Sequence, residues 1–304
     1  MKRGPGEKAR FSNVLLFLPR VFLRRKTRGA TRLLDLIAGH SSNLQNYRTE
    51  VPGGSLYVDL RNASGHAQIA QPSSITSEHR ILERCVGPGD TAFDIGANIG
   101  IFTVWLSSVV GEKGRVVAFE PNPALLPSLR KTADSLGNVD VLALGLADKD
   151  GTSEFFVPDD DTMASMRNWT RTEGGRVAAI KCEVTTIDKL ISGGRVPFPD
   201  LIKCDIEGGE YHCFVGARRT LGSDNAPIVL FEANINSTHG YGLDLSTAMD
   251  FLGELKQPNY TFFRVCEPDR LEAISSIDFL HGNILAVPEA RMHRLSIRAS
   301  NEWT

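Results

Sequence analysis

The sequence of 304 residues has no long hydrophobic run, few cysteines and almost no net charge, and each shortage excludes a class of protein. No apolar run is long enough to cross a bilayer, so a membrane-spanning protein is not expected. A net charge of −2 gives no global attraction to nucleic acid. The cysteines form no C-x-x-C pair, which argues against a zinc site and a disulfide framework. We therefore expect a cytoplasmic protein with reduced thiols at Cys85, Cys182, Cys204, Cys213 and Cys266.

The first 33 residues form a strongly basic arm in which Glu7 is the single acid. Apolar side chains are interleaved with the basic ones, a pattern typical of a segment that lies on an anionic membrane surface or binds a partner. Pro19 interrupts any helix there, which favours a solvated arm instead. Both interpretations stay open, and the first predicts peripheral contact with the inner membrane face. The basic residues are Lys2, Arg3, Lys8, Arg10, Arg20, Arg24, Arg25, Lys26, Arg28 and Arg32.

The length suits one large domain preceded by an N-terminal extension. Alternating apolar residues from position 56, followed by Asn62-Ala-Ser-Gly65, predict a β-hairpin over residues 54–72 that forms a lid or an edge of the main sheet. The predicted boundaries are a basic arm and helix over 1–50, a β-hairpin lead-in over 51–76, the main domain over 77–290 and a tail over 291–304.

Strand and helix patterns then alternate with short turns, which predicts an α/β fold with a doubly wound, mostly parallel, Rossmann-like sheet. Ligands of such folds bind at the carboxyl ends of the strands. An additional strand pair at 152–157 and 177–184 surrounds a polar insert. The predicted core strands are 91–95, 115–120, 139–145, 201–205 and 227–232, with a closing antiparallel pair at 260–266 and 283–287.

Residues 90–100 join an apolar strand to a helix through Asp94, Gly96, Asn98 and Gly100, and this segment is typical of a cofactor loop. A carboxylate at the tip of the strand repels the pyrophosphate of a dinucleotide and attracts a sulfonium or ammonium group. The segment also lacks the G-x-G-x-x-G spacing. Both observations favour S-adenosylmethionine (SAM) over NAD.

Acids at the ends of the next two strands are further cofactor-binding candidates. Glu120 ends the second strand, where an acid binds a ribose in nucleotide-binding folds. Asn122 lies in the turn that follows and is a further cofactor-binding candidate. Asp148 follows the third strand, where it either reaches an adenine amino group or serves a turn.

The predicted catalytic residues are Asp205, Glu207 and Glu232, which lie at the ends of the fourth and fifth core strands. Acids this close repel one another, and the repulsion raises the pKa of one toward the range of a general base. Capping of the following helix is the alternative for Glu207, and a divalent-metal site built from all three acids is another. His239 and His281 are secondary base candidates.

Four ordered motifs resemble the FkbM family of SAM-dependent methyltransferases. They are 94–103 (DIGANIGIFT), 118–123 (AFEPNP), 184–188 (VTTID) and 202–210 (IKCDIEGGE). The resemblance covers residues 78–234 and implies the class I methyltransferase fold, a seven-stranded sheet with an antiparallel last strand. It also implies that Asp94, Gly96, Asn98 and Gly100 hold the methionine part of SAM and that Glu120 holds its ribose.

Members of that family commonly methylate hydroxyl groups of sugars, glycolipids or natural products. The resemblance thus implies an O-methyltransferase with a small-molecule or glycan acceptor and no nucleic-acid partner. An alcohol must be aligned with the methyl group and relieved of its proton, and Asp205 is the expected base or orienting acceptor. Methylation of a nucleic acid or a protein, NAD-dependent oxidoreduction and SAM binding without catalysis are the rival hypotheses.

Overall fold

The computed structural model describes residues 30–170 and 177–297. Most of the predicted basic arm and the end of the predicted tail lie outside these residues. None of the helices in the described ranges is long and apolar enough to cross a membrane.

A mixed eight-stranded sheet forms the centre of the protein. Its spatial order is β12-β11-β13-β10-β9-β3-β4-β5. The five strands from β5 to β10 run parallel, and β13 is antiparallel to both of its neighbours. The strands are β3 (Thr91–Ile95), β4 (Arg115–Phe119), β5 (Val139–Leu142), β9 (Leu201–Cys204), β10 (Ile228–Asn234), β11 (Tyr260–Cys266), β12 (Arg270–Ile274) and β13 (His281–Pro288).

This sheet confirms the predicted α/β class and contains the seven expected strands. The additional strand, β12, lies at the edge and pairs with β11 alone. Successive strands are added on one side of β3 as far as β5 and on its other side from β9 onward, so the strand order changes direction between β3 and β9. The ends of these strands therefore form the crevice in which ligands of doubly wound folds bind.

Neighbouring residues on one strand pack against opposite faces of the sheet. Phe93 joins the cluster that contains Phe119 and Phe231, whereas Ala92 joins the cluster that contains Leu230. Both faces are therefore buried under helices, and the loops at the strand ends remain to form a site. The helices are α1 (Ala30–Gly39), α2 (Ala63–Ala70), α3 (Ser77–Cys85), α4 (Ile101–Val110), α5 (Leu126–Leu136), α6 (Ile187–Ser192), α7 (Glu210–Val215), α8 (Arg218–Leu221), α9 (Ile235–Gly240), α10 (Thr247–Gly253) and α11 (His293–Ile297).

The hairpin predicted over residues 54–72 is wrong. The hairpin consists instead of β1 (Tyr47–Val51) and β2 (Gly54–Val58), and the following segment is helix α2. Asn62 is the N-cap of that helix and does not begin a hairpin turn. Gly65 is needed for close packing, since a Cβ there would lie 2.2 Å from the carbonyl oxygen of Asp59. The turn-like composition thus reflects a helix start and a tight contact.

The predicted additional strand pair is confirmed as β7 (Gly151–Pro158) and β8 (Val177–Thr185), which are antiparallel. A third, short strand, β6 (Gly145–Leu146), pairs with β8 in parallel. The insert between β7 and β8 approaches the end of β9. Ser165 Oγ donates a hydrogen bond to the carbonyl oxygen of Glu207 at 2.9 Å and lies 3.0 Å from the hydroxyl of Tyr241. The insert therefore forms part of the wall of the crevice.

Candidate active site

The loop between β3 and α4 follows the carboxyl end of the central strand. Gly96, Asn98 and Gly100 all have positive φ angles of 78°, 52° and 95°. A Cβ at Gly96 would lie 1.9 Å from the carbonyl oxygen of Asp205, so only glycine allows this approach to the neighbouring strand end. The backbone N–H of Asn98 donates to Glu120 Oε2 at 2.8 Å. The loop thereby links the ends of three adjacent strands.

Asp94 lies behind this loop, and its side chain is fully buried. Its Oδ2 accepts a hydrogen bond from Thr103 Oγ1 at 2.6 Å, and Lys203 Nζ lies 3.7 Å from Oδ1. Lys203 is itself buried and also lies 3.3 Å from Asp205 Oδ2. Burial lowers the pKa of Lys203, but the two carboxylates outweigh that effect and raise it, so the ammonium is retained. Asp94 is thus the partner of an internal cation. Its charge alone is therefore weaker support for a sulfonium ligand over a pyrophosphate.

Lys203 was missed as a site residue by the sequence analysis. A lysine inside the apolar strand 201–204 was a usable signal, because buried lysines in proteins are paired with acids.

A cavity of about 600 Å³, here called the larger cavity, opens beside the loop. Of the predicted cofactor-binding residues, four line it, namely Gly96, Asn98, Glu120 and Asp148. Asp94, Gly100 and Asn122 are buried and are not among its lining residues. The apolar part of its wall includes Phe119, Leu144, Leu146 and Met166.

Glu120 is held rigidly at the edge of the larger cavity and is only 5% exposed. Its Oε1 accepts from the backbone N–H of Asn122 and its Oε2 from that of Asn98, both at 2.8 Å. Burial raises the pKa of Glu120 to about 7, and these two hydrogen bonds oppose the rise. Asn122 in turn accepts from the backbone N–H of Ala124 at 3.1 Å, so it supports the turn.

Asp148 lies on the far side of the larger cavity, and its carboxylate is 3.5 Å from His212 Nδ1. Its side chain is 37% exposed, so it remains accessible to a ligand.

Asp205, Glu207 and Glu232 form a compact cluster, here called the acidic trio. One carboxylate oxygen from each lies within 4.8 Å of the others. Lys203 approaches Asp205, and His281 Nε2 lies 2.8 Å from Glu232 Oε1. The three predicted catalytic residues are therefore brought together, and His281 touches the cluster from its exposed side.

Burial and repulsion between neighbouring carboxylates raise the pKa values of Glu207 and Glu232. The pKa of Glu207 rises to about 9, first because of burial and then because of Glu232, Asp205 and Glu210. The pKa of Glu232 also rises through burial and Asp205, while the hydrogen bond with His281 opposes the rise. Glu207 therefore holds a proton at neutral pH and can donate a hydrogen bond. A hard cation bound by all three carboxylates remains the alternative way to relieve the repulsion.

Glu210 is buried at the start of α7 and binds the backbone of the segment that precedes this helix. Its Oε1 accepts from the backbone N–H of Ile206 at 2.9 Å, and burial raises its pKa to about 8.

A second cavity of about 350 Å³, here called the smaller cavity, lies on the other side of the trio. Helix α2 forms one wall of it through Ser64, Ala67 and Gln68. These residues were not predicted as part of the site, because the segment was assigned to a hairpin. Both cavities share Gly96, Asn98, Thr162, Asp205 and Glu207. The two spaces thus meet at the loop and the trio.

Comparison with known proteins identifies a family. Residues 94–262 match the methyltransferase FkbM domain. A curated relative, the hexuronic acid methyltransferase AglP of Haloferax volcanii, is 30% identical over 158 residues, which are 52% of this chain and 62% of that protein. The chain thus spans about three fifths of the length of that relative.

Two further similarities are more distant. The AMB antimetabolite synthetase AmbE of Pseudomonas aeruginosa is 26% identical in a match of 166 residues that covers 42% of this chain and 8% of that protein. A solved SAM-dependent O-methyltransferase from Thermotoga maritima is 13% identical with a TM-score of 0.39, covering 77% of this chain and 74% of that one.

Proposed function

Because this chain belongs to the FkbM methyltransferase family, we propose that it transfers a methyl group from SAM to a hydroxyl group of a sugar, a glycolipid or a natural product. The observation that carries the proposal is that Asp205 and Glu207 line both cavities. A donor in one cavity and an acceptor in the other would meet beside these carboxylates.

The chemistry of the larger cavity fits SAM. Glu120 presents a fixed carboxylate, which accepts hydrogen bonds from a ribose diol. Asp148 is accessible to an adenine amino group, and apolar side chains such as Phe119 and Leu146 suit the ring. The volume falls in the range of small-molecule sites. When bound, SAM supplies an electrophilic methyl group, and the acidic trio favours its sulfonium charge.

The buried residues of the loop support the cofactor indirectly. Asp94 fixes the start of α4 through Thr103 and holds Lys203 in place. We assign Asp94, Gly100 and Asn122 to shaping the loop and the turn, while Gly96, Asn98, Glu120 and Asp148 face the ligand.

The trio supplies the acid–base chemistry that an alcohol requires. The side chain of Asp205 is 44% accessible, against 13% for Glu232, so Asp205 accepts the proton of the attacking hydroxyl. Glu207 in its protonated form and Glu232 hold neighbouring oxygens of the acceptor. Alignment of the hydroxyl with the methyl group contributes the larger part of the rate enhancement.

A sugar or related polyol is the acceptor class that we favour. The relative from Haloferax volcanii is named for methylation of a hexuronic acid, which is a sugar derivative. A cavity bounded by carboxylates also suits hydroxyl groups, since carboxylates accept the hydrogen bonds that hydroxyls donate.

The proposal is tested by calorimetry with SAM and with NAD, followed by turnover measurements on Asp205→Asn. We expect SAM to bind and NAD not to bind. The variant should bind SAM with unchanged affinity while kcat falls by about 100-fold or more. Asp134→Asn, an exposed residue of α5, is the control and should behave as the wild type. Binding of NAD alone, or full turnover by Asp205→Asn, would contradict the proposal.

A further inference from the structure

Gln68 lines the smaller cavity from helix α2 and carries a buried amide donor without a partner. The residue is only 2% exposed. Its Oε1 accepts from Ser73 Oγ at 2.6 Å and from the backbone N–H of Ser73 at 3.2 Å. Its Nε2 has no hydrogen-bond partner in the described part of the chain. Because the backbone N–H of Ser73 donates to one end of the amide, that end is the oxygen and the other is the nitrogen.

A buried donor without a partner is unfavourable unless a ligand satisfies it. Because Ser73 already occupies the oxygen end of the amide, the nitrogen end is free for a ligand that carries an acceptor atom. Hydroxyl, ether and carbonyl oxygens all meet this requirement.

The opposite wall of the smaller cavity has the complementary chemistry. Asp205, Glu207 and Glu232 line it with carboxyl groups whose oxygens accept hydrogen bonds, and the protonated Glu207 can also donate one. Lys203 is the nearby cation, but its ammonium is held between Asp94 and Asp205 and its side chain is only 8% exposed. An anionic ligand would therefore meet the repulsion of the acids, and within the described residues no other lysine or arginine lines this cavity to balance it.

We propose that the smaller cavity binds a neutral polyhydroxylated acceptor, and that Gln68 Nε2 donates to an acceptor oxygen other than the hydroxyl that is methylated. This inference rests on the proposed function and narrows its substrate class. Hydroxyl groups fit both walls, because each can donate to a carboxylate and accept from the amide. Gln68 is thus a specificity-determining residue, and the preferred sugar differs in charge from a hexuronic acid.

The test uses the full chain saturated with S-adenosylhomocysteine, so that binding is measured without reaction. Saturation-transfer NMR titrations compare the methyl glycosides of glucose and galactose with the methyl glycosides of glucuronic and galacturonic acid. We expect at least one neutral glycoside to bind and its uronic acid counterpart to bind at least ten-fold more weakly. The members of each pair differ only at C6, where a neutral hydroxymethyl group stands in place of the anionic carboxylate.

Two variants then isolate the amide donor. Gln68→Glu keeps an oxygen for Ser73 but removes the N–H donor, and Gln68→Met removes both polar atoms without adding charge. We expect each to weaken binding of the neutral glycoside at least ten-fold, with the affinity for SAM and the circular dichroism spectrum unchanged. Gln257→Glu makes the same change at an exposed position outside the smaller cavity, so it controls for the effect of replacing a glutamine by a glutamate.

The inference is overturned if no neutral glycoside binds, if a uronic acid binds as tightly as its neutral counterpart, or if both Gln68 variants bind within two-fold of the wild type. Failure of the proposed function gives a different result. In that case neutral glycosides bind in a Gln68-dependent manner, but no methylated product forms when SAM replaces S-adenosylhomocysteine.

Discussion

Replacing Glu207 by glutamine should change how stability depends on pH. The pKa of Glu207 is about 9 in the folded protein, against an ordinary value of 4.5. Between these values the folded state keeps a proton that the unfolded state has released, so stability falls as the pH rises. One pKa unit corresponds to about 1.4 kcal/mol, which gives a slope of at most about 1.4 kcal/mol per pH unit. Glutamine does not titrate, so Glu207→Gln removes this slope.

Urea denaturation of the wild type and the variant at pH 5, 7 and 8.5 measures the effect. The stability of the variant relative to the wild type should increase across this range by at least about 2 kcal/mol, and by about 5 kcal/mol at most. Glu120 also has a raised pKa, but it is present in both proteins and its shift does not involve Glu207, so its contribution cancels in the difference. Glu210 and Glu232 repel Glu207, so their titration contributes to the difference. Glu254→Gln, at an exposed position, is the control. A difference that is the same at all three pH values would refute the reasoning.

Three further predictions concern the loop, the buried ion pair and the trio. Gly96→Ala should lower thermal stability and weaken SAM binding at least ten-fold, because its Cβ would meet the carbonyl oxygen of Asp205 at 1.9 Å. Gly89 has a similar φ angle but nothing within 4 Å of its Cβ position, so Gly89→Ala measures the backbone strain without the steric clash. Lys203→Met should cost about 3–5 kcal/mol in chemical denaturation, since Asp94 stays buried without its cation, and Asp94→Asn in the same chain should recover part of the loss. Excess EDTA should leave turnover unchanged if a proton relieves the repulsion within the trio, whereas a loss that Mg²⁺ restores would assign the trio to a cation.

The main sheet and the convergence of the acids could be predicted because both follow from local patterns. Strands buried on both faces are continuous apolar runs, and the carboxyl ends of parallel strands meet at one edge. Asp205 and Glu232 end neighbouring strands, and Glu207 lies in the turn after the first of them. Their proximity therefore required only the strand order, which short right-handed connections restrict.

Contacts between distant segments could not be predicted in this way. The fully buried state of Asp94 depends on Lys203, which is 109 positions away in the sequence. The proposed role of Gln68 depends on helix α2 packing beside the trio. Gly65 resembled a turn residue in the sequence, but it is required by its close contact with Asp59. Such contacts arise from tertiary packing, for which a single sequence has no periodic signal.

The raised pKa of Glu207 bears on how the trio assists catalysis. Methyl transfer removes the positive charge from sulfur and releases a proton, so carboxylates stabilise the reactants and also accept that proton. Stabilisation of the sulfonium alone slows the reaction, because it is lost in the transition state. In the proposed mechanism, a protonated Glu207 lowers the negative charge beside the sulfonium, and Asp205, whose side chain is 44% accessible, takes the proton. The repulsion that makes this cluster unfavourable for stability therefore divides the roles of its members.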